Sequence, residues 1–311
     1  MHGVSKVVEQ KEAGETDSTP ALSGQELRRA YAQCRSLQRR HDPTFWLATL
    51  RLPAEMRPAV WAVYGFVRTA DEVVDGPGRD SAPAERLAGL DQLANELELA
   101  RGGMTVSTPA VNALVDAGQR HNLPLDELTA YLDSMRRDVG PLWITDWDDL
   151  LSYMNGSAGT VGRLMAPLLG APVEAHESFA QLGLAFQLTN FIRDIPEDAG
   201  LGRVYLPADE LSAVGVRNEE LAASGAPASA ALCGVIESQV VRARELFSDG
   251  EDGGQSVEPK VRRGIRLATS VYQRTLDRVE ENGFDAVGIS AELTLIQRVG
   301  AVASAFRSSH A

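Results

Sequence analysis

The sequence predicts an all-α chain folded as one helical bundle, and three observations carry that expectation. Apolar residues recur at helical spacing from Ser23 onward. Strand-like alternation is scarce, and no Asn-Gly or Asp-Gly turn joins two alternating segments. Stretches rich in proline and glycine punctuate the chain at intervals suited to helices. Residues 1–22 are polar with no apolar period, and read as a disordered tail before a single all-helical domain over 23–307. The first helix, 24–41, starts where the tail ends, and a second over 53–75 runs to "DGPGRDSAP". The third, 83–101, stops at "RGGMTVSTP", and helices over 109–121 and 125–139 follow. Long apolar periods place helices at 147–170 and 174–194. After "ASGAPAS" comes 228–248; after "SDGEDGGQSVEP" come 257–282 and 290–307.

Composition narrows the function classes. The 311 residues are 44% hydrophobic and 23% charged, enough to bury a large core. A net charge of −13 argues against a nucleic-acid partner and leaves room for metal cations. Cys34 and Cys233, far apart and without a CxxC spacing, form neither a disulfide framework nor a zinc site. With no apolar leader and no membrane-length run, the expected location is the cytosol.

Chemistry concentrates in two stretches. "YGFVRTADEVVDG" places Asp71 and Asp75 four apart in an apolar segment, with Arg68 three before Asp71. "QLTNFIRDIPED" places Asp194 and Asp198 four apart, with Asn190 four before Asp194. Residues at this spacing share a helix face. In a chain this acidic, such pairs are ordinarily solvated faces. Both of these, however, close strongly apolar helices, at the end where the helix dipole disfavours acids. Brought together at about 5.5 Å and an effective dielectric of about 20, two carboxylates repel by roughly 3 kcal/mol. A hard divalent cation with oxygen ligands removes that conflict, and Mg²⁺ shares carboxylates with phosphates. The spacing therefore suggests a diphosphate held through bridging Mg²⁺, so that a carbon–oxygen bond can ionise.

"DEVVD" and "NFIRDIPED", the latter followed by "GRVYLP", resemble the two aspartate-rich motifs of the phytoene/squalene synthase family, the head-to-head trans-isoprenyl diphosphate synthases. "RHDPTFWLATLRLP", "SMRRD", "YMNGSAGTVGRLM" and "YQRTLDRVEENGFD" agree in order, so the resemblance spans roughly residues 25–290. It implies an isoprenoid-synthase-type helical bundle around a central cavity, working with Mg²⁺ or Mn²⁺. Asp71, Asp75, Asn190, Asp194 and Asp198 then match the metal ligands, and the four aspartates with Tyr153 the catalytic set. Thr44, Phe45, Arg68, Gln187, Arg193, Arg203, Tyr205 and Tyr272 fall where the family meets its isoprenyl diphosphate substrates. Each also has a plainer reading: Arg68 as a partner of Asp71, Thr44 as a helix cap, and Phe45 and Tyr205 as core. The glycines of "GSAGTVG" serve tight packing or make room for a prenyl tail.

Five positions depart from the family pattern. Gly156 replaces an aromatic, Asp42 puts an acid where a diphosphate would be repelled, and Ile289–Ser290 stand where arginines are common. Pro196 lies inside the second motif and is expected to end or kink its helix between the two aspartates, leaving Asp198 on a frayed turn. The nearest likeness is to bacterial phytoene synthases, which join two geranylgeranyl diphosphates through a cyclopropylcarbinyl diphosphate in carotenoid biosynthesis. That reading needs no NADPH and implies peripheral contact with the inner face of a membrane for release of a hydrocarbon product. The alternatives are a presqualene diphosphate or squalene synthase acting on farnesyl diphosphate, a non-catalytic relative, and a terpene cyclase acting on a single substrate.

Overall fold

The structure, a computed structural model, describes residues 23–76, 81–291 and 293. The expected tail over 1–22, most of the expected helix over 290–307 and the side chain of Thr44 lie outside the described residues. Helix α1 (Gly24–His41) begins on Ser23, whose side chain accepts from the Glu26 N–H while the Glu26 carboxylate accepts from the Ser23 N–H. This reciprocal pair satisfies two donors that a helix start leaves open. A short helix not expected from the sequence, α2 (Pro43–Thr49), follows at once, because the Asp42 side chain accepts from the Phe45 N–H at 2.8 Å and Pro43 opens the turn. Then come α3 (Arg57–Asp75), α4 (Pro83–Arg101), α5 (Pro109–His121) and α6 (Glu127–Arg137).

A two-residue strand, β1 (Leu142–Trp143), precedes α7 (Trp147–Met154). The expected helix over 147–170 is interrupted: Asn155–Gly159 forms a π-helical turn before α8 (Thr160–Leu168). A side chain on Gly156 would collide with Ser134 Oγ there, so this turn sits directly against α6. Helix α9 (His176–Arg193) buries residues around most of its circumference, the mark of a central helix. It packs on α8 and on the long α13 (Ala230–Gln255). Its backbone meets α8 and the π turn closely: a Cβ on Gly162 would strike the Phe179 carbonyl, and one on Gly183 the Ala158 carbonyl of the π turn. Helix α9 ends at Asp194 (φ −103°, ψ 14°), where α10 (Ile195–Gly200) begins with Pro196 in its first turn. The proline thus starts a new helix, and the break falls on the first aspartate. Asp198 sits inside that helix, not on a frayed turn. β2 (Arg203–Val204), α11 (Ala208–Ala213) and α12 (Asn218–Leu221) lead to α13, and α14 (Pro259–Glu281) completes the described helices.

Two apolar cores result. One gathers α1, α3, α4, α5, α6 and α8; the other gathers α7, α9, α13 and α14 with the short strands. β1 and β2 pair in parallel, Leu142 opposite Arg203, which fixes Arg203 beside the segment leaving α6.

Candidate active site

A cavity of about 320 Å³ lies between the two cores. Phe45, Val67, Met165, Leu182 and Phe186 give it an apolar wall, and Asp42, Gln187, Asn190 and Tyr272 add polar groups. Four expected site residues therefore reach it: Phe45, Gln187, Asn190 and Tyr272. Asp42 caps α2 while lining the cavity, which gives this acid a structural reason to be there. A larger cleft of about 560 Å³ lies between α13 and α14, but no residue of either aspartate motif lines it. The smaller cavity is the one the acid motifs address.

Both aspartate pairs prolong helix faces that line the cavity. On α3, Val67 is lining, and Asp71 and Asp75 follow at one and two turns. On α9, Gln187 and Asn190 are lining; Asp194 follows one turn on, and the Asp198 N–H continues the ladder to the Asp194 carbonyl at 2.9 Å. Among the described residues, no three acids, cysteines or histidines stand close enough together to hold one metal ion. The expected repulsion is relieved differently: one acid of each pair has an arginine. Arg203 grips Asp75 with two bonds of 2.7 and 2.6 Å, and Arg193 grips Asp194 with two of 2.7 and 2.6 Å.

The other acid of each pair has no such guanidinium. Burial raises the Asp71 carboxyl from 3.8 to about 7, against the pull of Arg68 and a hydrogen bond donated by the Tyr131 hydroxyl at 3.3 Å. Burial and then the neighbouring Asp194 charge raise Asp198 from 3.8 to about 8. The Oδ1 of Asn190 is buried without a hydrogen-bond partner. Two carboxyls short of positive charge and an orphaned amide oxygen form an oxygen-only donor set that fits a hard divalent cation. Mg²⁺, which takes much of its coordination from water and phosphate, asks few ligands of a protein.

Asp138, just after α6 in "SMRRD", meets both motifs although acid spacing gives no sign of it. It is buried, and burial raises its carboxyl. The Tyr153 hydroxyl donates to it at 2.6 Å and the Tyr205 hydroxyl at 3.0 Å. Arg203 donates to its backbone carbonyl at 2.7 Å. Asp71, Asp75 and Asp198 all lie within its electrostatic reach. Asp138 therefore joins the two motifs through tyrosines and one arginine. Its only signal in the sequence was an acid directly after two arginines, which a solvated helix end shows equally well.

This hub relocates three expected residues. Arg203 is 6% exposed and directs its donors to Asp75 and the Asp138 carbonyl, not to the cavity. Tyr153 and Tyr205 are buried and bond Asp138, with Tyr205 stacked on Phe191 at 3.8 Å. Arg68 bonds Glu72 at 3.3 Å, four residues on, instead of Asp71. Tyr272 packs on Phe186 at 4.5 Å, and burial, then the Asp42 charge, pushes its hydroxyl up to about 12.

The raised carboxyls predict a pH dependence of stability. Because Asp71 and Asp198 titrate higher in the fold than their ordinary 3.8, the folded chain holds more protons than the unfolded one between about pH 4 and about pH 8. Without divalent cation, stability is expected to fall as pH rises through that window. Thermal melts in chelator from acid to alkaline pH check this; a melting temperature that climbs toward pH 8 would contradict it.

Comparison with known proteins accords with this geometry. The squalene/phytoene synthase family model matches residues 38–300. The 15-cis-phytoene synthase of Synechococcus elongatus is 31% identical over 287 residues, covering 86% of this chain and 89% of that protein. The phytoene synthase of Thermus thermophilus is 35% identical over 270 residues, covering 86% and 89%. Among solved structures, a dehydrosqualene synthase in complex with ligand superposes with a TM-score of 0.82 at 25% identity, covering 92% of this chain and 98% of that one. Squalene synthase HpnC from Alicyclobacillus acidocaldarius gives 0.75 at 30% identity, covering 85% and 97%. The chain belongs to the squalene/phytoene synthase family.

Proposed function

We propose that the protein is a phytoene synthase, joining two molecules of geranylgeranyl diphosphate head to head. The observation that carries the reaction class is the junction of an apolar cavity with two acid stripes running off its end. The cavity wall receives prenyl tail, and the polar end receives diphosphate. Asp71, Asp75, Asn190, Asp194 and Asp198 would hold Mg²⁺. When bound, Mg²⁺ neutralises the diphosphate and makes it a better leaving group.

The chain's own residues do the rest. Arg193, one residue before Asp194, can exchange its carboxylate partner for phosphate oxygen, since guanidinium bonds both in the same fork geometry. Asn190 presents an unsatisfied oxygen toward the cavity end. Phe45, Phe186 and Tyr272 place aromatic faces along the path of an allylic cation, where ring quadrupoles favour positive charge. In the first half-reaction one carbon–oxygen bond breaks and the cation is attacked by the double bond of the second substrate. Proton loss then closes a cyclopropylcarbinyl diphosphate. In the second, that diphosphate leaves, the skeleton rearranges and a proton is lost to give the polyene. The released diphosphate, still nearby, is the proton acceptor.

The likeness to phytoene synthases from bacteria and plants supports the longer substrate. A C15 reading, squalene or dehydrosqualene synthesis, draws support from the structural neighbours. The cavity favours it too, since 320 Å³ is near the lower bound for ligand sites. Purified protein incubated with C15 or C20 diphosphate and Mg²⁺, with and without NADPH, decides between them by mass spectrometry before and after phosphatase. Phytoene from C20 substrate, unaffected by NADPH, is expected. Squalene formed only from C15 substrate with NADPH would overturn the phytoene reading. Accumulation of the cyclopropyl diphosphate would place the block in the second half-reaction. The hydrocarbon product also calls for peripheral membrane contact; among the described residues, no helix is long and apolar enough to cross a membrane.

A further inference from the structure

Charge is strongly segregated in this acidic chain. Residues 24–56 and 259–276 together carry eleven lysines and arginines against three acids, while the whole chain has 30 against 43. Those two segments contain α1, α2 and the first five turns of α14, and α2 packs against both of the other helices. Several of these basic residues flank α2. On α1, Arg28, Arg35 and Arg39 share the flank toward it, as the Arg35 guanidinium shows by lying 5.6 Å from the Trp46 ring. On α14, Arg262 and Arg266 line the cleft against α13, whereas Lys260 shares a face with Gly264, which packs against Ala48 of α2, and Arg263 lies on the exposed side between. Arg28, Arg39, Lys260 and Arg263 are all exposed.

Helix α2 is also the thin outer wall of the tail cavity. Phe45, Ala48 and Thr49 line the cavity from α2, and Gly264 and Ile265 line it from α14. On the outer side, Leu47 is 52% exposed between the basic flanks. An exposed leucine on a short helix, bordered by cations and backed by a prenyl-sized cavity, has the features of a surface that rests on a lipid headgroup layer.

We propose that the α1–α2–α14 face docks this protein on an anionic membrane, with Leu47 pressed toward the acyl layer and the tail cavity behind it. This rests on the reading of the cavity as the site of a hydrocarbon-forming reaction. A polyene product has no favourable route through water, and a membrane-seated α2 gives it a short apolar one. The net positive charge of this face in an otherwise acidic chain sets the orientation: the acidic remainder is repelled from the same surface.

Flotation of the full chain with phosphatidylcholine vesicles, and with vesicles containing about one-third phosphatidylglycerol, tests this. Wild type is expected to float with the anionic vesicles and not with the neutral ones. Raising salt from about 0.1 M to about 1 M should release it, as screening shortens from about 10 to about 3 Å. The fourfold variant Arg28→Glu, Arg39→Glu, Lys260→Glu, Arg263→Glu should lose at least about tenfold in vesicle affinity. Leu47→Glu alone should weaken binding, and Arg217→Glu, exposed outside this face, should leave it unchanged. Wild-type binding that ignores lipid charge or salt overturns the proposal, as does undiminished binding by the fourfold variant; the salt arm decides even where that variant does not fold. Product formation in detergent is measured on the same preparations. If wild type makes no coupled product, the catalytic reading fails and the flotation result stands alone. If wild type couples but does not float, the docking face fails. A fourfold variant that still floats but loses kcat/KM in detergent would assign these cations to attracting the soluble diphosphate, and would also overturn docking.

Discussion

Asp71→Asn and Asp198→Asn are each expected to lower turnover by at least about 10³-fold, roughly 4 kcal/mol of transition-state stabilisation, while leaving the fold intact. Asparagine keeps the shape of the side chain and removes the charge that a hard cation needs. These two acids lack the bidentate arginine that Asp75 and Asp194 have, and burial has already pushed them to about 7 and about 8. Removing a half-buried carboxylate that lacks a bidentate partner relieves a cost, so metal-free melting at alkaline pH should be unchanged or higher. Coupled-product assays and thermal melts in chelator, on the same preparations, check both halves. A variant that melts early yet retains turnover would make these acids structural.

Arg203→Met is expected to cost about 3 kcal/mol of stability, lowering the melting temperature by roughly 5–10 °C. The side chain is 7% exposed and its donors hold Asp75 and the Asp138 carbonyl. Without it Asp75 faces the Asp71 and Asp138 charges alone, although its 40% exposure lets water soften the loss. Arg203→Lys should recover part of the stability but not the two-bond grip, so activity should recover less than stability does. Had Arg203 been a direct substrate contact, KM would rise with melting unchanged. Thermal unfolding set beside KM and kcat separates the two roles.

Much of the helical order was legible because local chemistry marks it. The ends of α1, α4 and α5 coincide with expectation where Ser23, Pro83 and Pro109 open them. Other boundaries were hidden by tertiary contacts. "SDGEDGGQ" reads as a break, yet α13 runs through it to Gln255, because Gly250 and Gly253 are small where Leu182 and Ser178 press close. The π turn at Asn155–Gly159 leaves no periodic signature distinct from the helix around it. For the site, acid spacing identified Asp71, Asp75, Asp194 and Asp198, since spacing is a property of one helix. The Asp138 hub and the relocation of Arg203 depend on segments 65 residues apart meeting through a two-strand pairing, which no local pattern encodes.

The close backbone contact along α9 makes the positions around the cavity unequal as material for change. Gly162 and Gly183 line it with hydrogen where other residues carry carbon, and anything larger at either position collides with a main-chain carbonyl. Those two positions have nothing left to trim and no room to grow. Leu52 and Ile265, on the α2–α14 side, retain side chains that can be shortened or lengthened. Variants selected for longer or shorter substrates should therefore change positions that carry side chains, such as Leu52, Met165, Leu182 and Ile265, while the glycine seam of Gly162 and Gly183 stays fixed.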